Sequence, residues 1–217
     1  MRKTLEIDVM VEYYKSISQD NILIALEYYI NILTLFKNVD TSKYLSFGFT
    51  SDYNILNENI DTLLDYIHYQ KHYIPNEQKV ILIPKDPAAM AVAEQSSEDT
   101  ALAILMYNHA SLKGNLEGKK DILRRIAQEY EPLLDKKVNG FSDYFDKANN
   151  MLNNLNIRHN NKAGNKKNEC VITLNNDELE KWYDELYQLL LFCVLIKNNV
   201  KRKKEIEEFL KILNKKD

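Results

Sequence analysis

The chain has 217 residues, 45% of them hydrophobic and 28% charged, enough apolar mass to bury a core and too much for a disordered chain. Only 5 Gly and 4 Pro argue against an all-β fold built on tight turns and against long linkers. The formal net charge of −3 does not mark a nucleic-acid binder, but residues 1–110 carry 8 basic and 15 acidic side chains while residues 111–217 carry 21 and 17, so a polyanion would prefer the second half.

Helical periodicity dominates from the start. Residues 4–17 and 19–37 read as a helical pair, the second with Leu23, Leu26, Ile30, Leu33 and Leu35 as its apolar positions. Residues 38–50 read as a loop. Ser51 or Asp52 is the expected cap of a helix of about twenty residues that carries Leu56, Ile60, Leu63, Leu64 and Ile67 and stops before Pro75. Lys79–Pro84 is the best strand candidate, short and lone. Ser96 with Asp99 resembles a capping box for a helix running to about Lys113. Helices are expected over Glu117–Leu134 and 141–154. A polar, basic stretch, His159–Asn168, follows. Asn176 or Asp177 then opens the strongest helix, through Trp182, Leu186, Leu189, Leu190, Cys193 and Ile196, and a separate basic helix over 200–215 closes the chain. The simplest architecture is all-α, one helical bundle of six or more helices over 1–217. Two helical subdomains hinged near 75–90 are the alternative.

The stretch Asn156-Ile-Arg-His-Asn-Asn161 concentrates an Arg, a His and amides at a helix end, ahead of Lys162, Lys166 and Lys167, with no acid between Arg158 and Asn168. Arg158 could fork onto phosphate oxygens and His159 could move a proton near neutral pH, the two functions that RNA cleavage by the neighbouring 2′-hydroxyl needs without a metal. The plainer reading has Arg158 capping its helix or pairing with a carboxylate and His159 in solvent. A second group, Asp61, Asp65, His68 and His72, lines one helix face at spacings of four, three and four; a solvated acid–imidazole face is favoured there over a zinc site, for want of further ligands. His109 falls on an apolar face with Leu102, Leu105 and Leu112, as a hydrogen-bonded core histidine would; the alternative has it lining a cleft. The run Lys201-Arg-Lys-Lys204 could grip RNA, but its interleaved acids fit a solvated helix better.

The pattern of a helix ending in Arg158 and polar His159, a loop and a long amphipathic last helix resembles the HEPN superfamily, compact helical domains of prokaryotic defence systems, toxins and CRISPR effectors. The resemblance covers about 97–215, with helices 4–75 packed on it. Its motif places a second His four to six positions after the Arg; here 162–164 are Lys, Ala and Gly, and no His follows to the C-terminus. Either His159 has taken over proton transfer or catalysis is lost. The resemblance implies a metal-independent endoribonuclease of a defence or toxin–antitoxin system, acting as a homodimer whose two motifs face one another, with an antitoxin or defence-system protein as partner. Arg158 and His159 would then be catalytic, Asn160, Asn161, Lys162, Lys166 and Lys167 would contact RNA, and neither cofactor nor metal is expected. The rival reading is a non-catalytic helical interaction or scaffold protein of a defence system.

Phosphate-binding glycine loops, dinucleotide fingerprints and nucleophile-elbow serines are absent from the sequence. Cys170 and Cys193 show no metal or redox spacing. No apolar run approaches the roughly 18 residues of a membrane-spanning helix. Glu6 and Asp8 interrupt what would be the apolar part of a secretion signal, so a cytoplasmic location is expected.

Overall fold

A computed structural model describes residues 18–38, 48–134, 138, 140–158 and 173–214. Among them are seven α-helices, α1 (Gln19–Asn38), α2 (Gly48–Tyr66), α3 (Pro87–Ala93), α4 (Glu98–Met106), α5 (Leu116–Leu134), α6 (Ser142–Asn154) and α7 (Asn176–Leu213), and two strands, β1 (Tyr69–Ile74) and β2 (Lys79–Pro84). The chain is therefore mostly helical, with one small antiparallel hairpin. None of the described helices is long and apolar enough to cross a membrane. The described residues form two compact units, one reaching to Lys85 and including Asn108–Ser111, the other made of Asp86–Tyr107 and the chain from Leu112 on. The passage at Lys85–Asp86 lies within the 75–90 stretch.

In the first unit, β1 pairs with β2 from Tyr69↔Pro84 to Ile74↔Lys79. A 3-10 turn at Pro75–Glu77 and Gln78 in the left-handed region close the hairpin. The expected lone strand thus has a partner, and the helix expected to stop only before Pro75 ends at Tyr66, because Tyr69–Ile74 gains a full ladder as a strand. One edge of β2 is satisfied by side chains of α1. Asn31 exchanges two hydrogen bonds with the backbone of Val80, both 2.7 Å, and Glu27 accepts from the Leu82 N–H at 2.8 Å. Four residues of helix rise about 6 Å and two residues of strand about 6.8 Å, so positions 27 and 31 fall opposite 82 and 80. Leu23, Ile30, Ile60, Leu64, Leu82 and Ala110 form this unit's core.

In the second unit α7 is the central element. Tyr183, Leu186, Tyr187, Leu190, Leu191, Cys193 and Val194 are buried against α3, α5 and α6. The Tyr107 and Tyr187 rings stack at 4.0 Å, and the Tyr187 hydroxyl donates to the Ile104 carbonyl at 2.9 Å. Trp182, expected in the core, is instead 44% exposed. The N-cap is Asn175, one residue before the expected pair, in a capping box with Glu178. The separate last helix does not exist: α7 runs unbroken for 38 residues. α4 ends at Met106 rather than near Lys113, its N-cap is Ser97, and Ser96 bonds Val92 and Tyr130 instead of capping.

Candidate functional site

Arg158 is placed by the way α6 stops. Leu155 is the C-cap, and Asn156 takes φ 60°, a left-handed conformation that asparagine tolerates better than most residues. The Ile157 N–H then reaches back to the Leu152 carbonyl at 3.1 Å, the six-to-one bond of a Schellman ending. Ile157 and Leu152 are both fully buried, the apolar contact that accompanies this motif. With Ile157 fixed, Arg158 leaves the helix end facing α5.

Arg158 does not stand free. Its Nη2 donates to Asn149 Oδ1 at 2.8 Å, and its Nε lies 3.4 Å from Glu131 Oε1, buried and without a hydrogen bond of its own. The side chain is 16% exposed, whereas that of Glu131 is 53% exposed. Arg124 adds a second guanidinium, donating from Nε to the Ile157 carbonyl at 3.2 Å and from Nη1 to Asp121 at 2.6 Å. A cleft of about 400 Å³ opens here, lined by Arg124, Ala127, Gln128, Glu131, Asn153 and Arg158. Chemically it offers two cations, two amides and one displaceable carboxylate, a set that takes an oxyanion once Glu131 gives way. Arg124, Gln128 and Glu131 follow the four-then-three spacing of one helix face, the signal in the sequence that would have found them.

His159, Asn160, Asn161, Lys162, Lys166 and Lys167 lie outside the described residues, so of the expected site only Arg158 can be located. The expected helical row of Asp61, Asp65, His68 and His72 is not a row. His68 sits past the end of α2 at φ 59° and His72 belongs to β1. Asp61 pairs with Lys71 at 2.8 Å and Asp65 with Lys85 at 2.6 Å. His109 lies beyond the end of α4, is 6% exposed and is fully occupied. Its Nε2 is 2.7 Å from Glu27, its Nδ1 is 2.8 Å from the Ser111 hydroxyl, and the Ser111 N–H donates to the same Nδ1 at 3.2 Å. Because Nδ1 accepts, the neutral ring carries its proton on Nε2, toward the carboxylate. This is the hydrogen-bonded core histidine. Cys193 is buried, and that burial pushes its thiol up to about 11, against the pull of Lys197, so it is held as an unreactive thiol.

A polar cluster that the spacing did not announce lies in the second unit. Lys119, 7% exposed, reaches Glu180 at 2.8 Å and Asp184 at 2.7 Å, with its ammonium 5.2 Å from the centre of the Tyr107 ring. The Tyr107 hydroxyl donates to Asp184 at 3.0 Å; burial first, then Asp184, keeps that phenol protonated far above its ordinary range. Every charge in the cluster has a partner, which marks it as structural. Among the described residues no group of three or more His, Cys, Asp or Glu is arranged to hold a metal ion. No protein-family model, curated protein or solved structure matches this chain.

Proposed function

We propose that the chain is a HEPN-like, cytoplasmic helical protein of a defence or toxin–antitoxin system that engages RNA through Arg158 and the segment that follows it. The observation supporting this is the cleft that gathers Arg158 and Arg124 at the end of α6, next in sequence to His159 and the basic residues Lys162, Lys166 and Lys167. If the bound RNA is cut, Arg158 stabilises the developing phosphorane and His159 moves the proton, in a homodimer that sets the two segments against each other. A cognate antitoxin or other defence protein belongs to the same proposal. In this reading Glu131 releases Arg158 to the phosphate.

A second reading, a non-catalytic helical interaction protein, is favoured by one specific observation. The Arg158 side chain is already held within its own chain, between Asn149 and Glu131. There Arg158 fastens the end of α6 to α5 and contacts no substrate.

One assay separates the two. The protein is incubated with single-stranded and structured RNA in the presence of EDTA. The nuclease reading expects cleavage with 2′,3′-cyclic phosphate ends. Arg158→Ala should lose about a hundredfold in rate, the cost of about 3 kcal/mol for one lost donor to a developing oxyanion. His159→Ala should lose a similar order. Lys166→Ala should weaken binding and flatten its salt dependence, and Glu131→Gln should leave cleavage intact or raise it. Absence of RNA binding and cleavage, together with a lower unfolding free energy for both Arg158→Ala and Glu131→Gln, selects the interaction reading.

A further inference from the structure

Glu27, His109 and Ser111 stand in one line of hydrogen bonds within the first unit, and the line opens to water at its serine end. Glu27 Oε2 lies 2.7 Å from His109 Nε2, and His109 Nδ1 lies 2.8 Å from the Ser111 hydroxyl. The ring is 6% exposed and the Glu27 side chain 19%, whereas Ser111 is exposed. A buried base thus holds a hydroxyl that a reagent in solution can reach.

The surroundings fix each partner in the state that a relay needs. The Leu82 N–H donates to the same Glu27 oxygen at 2.8 Å, so the edge of the hairpin anchors the carboxylate against which the ring rests. Burial works against the charge of Glu27, and the bonds from His109 and Leu82 outweigh it, so the carboxylate is ionised at neutral pH. The Ser111 N–H, 3.2 Å from Nδ1, excludes a proton on that nitrogen. The neutral ring therefore keeps its one proton on Nε2, and Nδ1 is left to accept, with the hydroxyl as the nearer of its two donors. A hydroxyl, a base within hydrogen-bond reach and a third group orienting the base form the arrangement that activates serine nucleophiles. It is recognised by geometry and roles, not by order in the chain, and either ring nitrogen can take the proton while the other holds the carboxylate. We propose that Ser111 is a nucleophile toward acyl esters, with His109 as its general base and Glu27 as the residue that positions His109.

In the step, Ser111 Oγ bonds to the acyl carbon as the ester C–O bond breaks. The hydroxyl proton passes to Nδ1 and then to the leaving alcohol. Water next attacks the acyl-serine along the same path; its proton goes to Nδ1 and on to Oγ, and the carboxylic acid leaves.

This inference stands apart from the RNA reading, and its test contains no RNA. The full chain mixed with p-nitrophenyl acetate should release a burst of about one p-nitrophenol per chain, followed by a slower steady phase. Peptide mass spectrometry should find the acetyl group on Ser111 about 100-fold ahead of Ser18, which is also exposed but whose hydroxyl accepts from the Asn21 N–H instead of facing an imidazole. Ser111→Ala, at an exposed position, should keep the native circular dichroism and lose the burst. Glu27→Gln removes the counter-charge of the imidazolium and should slow the burst about tenfold or more at undiminished amplitude. A purely structural Glu27 would not change that rate in protein that circular dichroism shows to be folded. The proposal is overturned if the native chain gives no burst, if the acetyl group is found on lysines alone, or if either variant gives a burst as fast as the native one.

Discussion

Glu27 is a carboxylate whose hydrogen bonds outweigh its burial. Burial would raise its pKa, but the hydrogen bonds from His109 and from the Leu82 N–H, with the nearby charge of Lys79, hold it below the ordinary glutamate value of 4.5. A carboxyl whose folded pKa is depressed contributes stability above the unfolded value and loses it as pH falls through the folded one. Unfolding free energy measured in urea should therefore begin to drop near pH 4.5 and continue downward below it. Glu129 and Glu180 are lowered as well, so the native protein alone does not isolate Glu27. The difference between native and Glu27→Gln should: about 1 kcal/mol near neutral pH, shrinking as the acid limb is entered. A difference that stays constant with pH would remove Glu27 from the acid response. Asn156 works differently at the same scale. Its left-handed φ turns the chain so that Ile157 is buried and Arg158 meets Asn149 and Glu131.

At the scale of elements, α7 depends on its first turn. Asn175 accepts from the Glu178 N–H at 2.9 Å, and Glu178 accepts from the Asn175 N–H at 3.0 Å. Asn175→Ala should lower thermal and urea stability by about 1 kcal/mol, and adding Glu178→Ala should cost less than the two single losses together, because the first already breaks the box. Periodicity revealed the helices because burial of one face is a local pattern: α1, α5, α6 and the first half of α7 lie within a few residues of expectation. The hairpin was half legible. Val80-Ile-Leu-Ile83 reads as a strand by composition, but Tyr69–Ile74 carries polar residues at Gln70, Lys71 and His72, and its strand state rests on pairing with residues up to fifteen positions away. The i, i+4 spacings of Asp61, Asp65, His68 and His72 imitated one helix face across the boundary where the helix stops. At the site, Arg158 could be singled out from its neighbours in sequence. Glu131 shares a legible helix face with Arg124 and Gln128, but that this face and Asn149 of α6 both meet Arg158 depends on the turn at Asn156, which spacing does not show.

At the scale of the molecule, the second unit holds a buried cation between two of its helices. Lys119 joins α5 to α7 through Glu180 and Asp184, and Glu180 also accepts the Gly114 N–H at 2.9 Å. Removing one partner of a buried pair costs more than the pair contributes, because the other charge stays desolvated. Asp184 is 47% exposed, so part of that cost is relieved by water. Lys119→Met should lower the unfolding free energy by about 2 kcal/mol, less than the ~3–5 of a fully buried pair. A loss below a few tenths would show that the carboxylates rehydrate freely.

The segment Asn108–Ser111 belongs to the first unit although the chain on either side of it belongs to the second. Neither unit is then a single run of sequence. On the ribosome, Glu27 and the hairpin emerge long before His109, which follows Glu27 by 82 residues. Until it arrives, a carboxylate and part of a core must wait for their last neighbours. A fragment cut at Lys85 leaves the first unit permanently in that unfinished state.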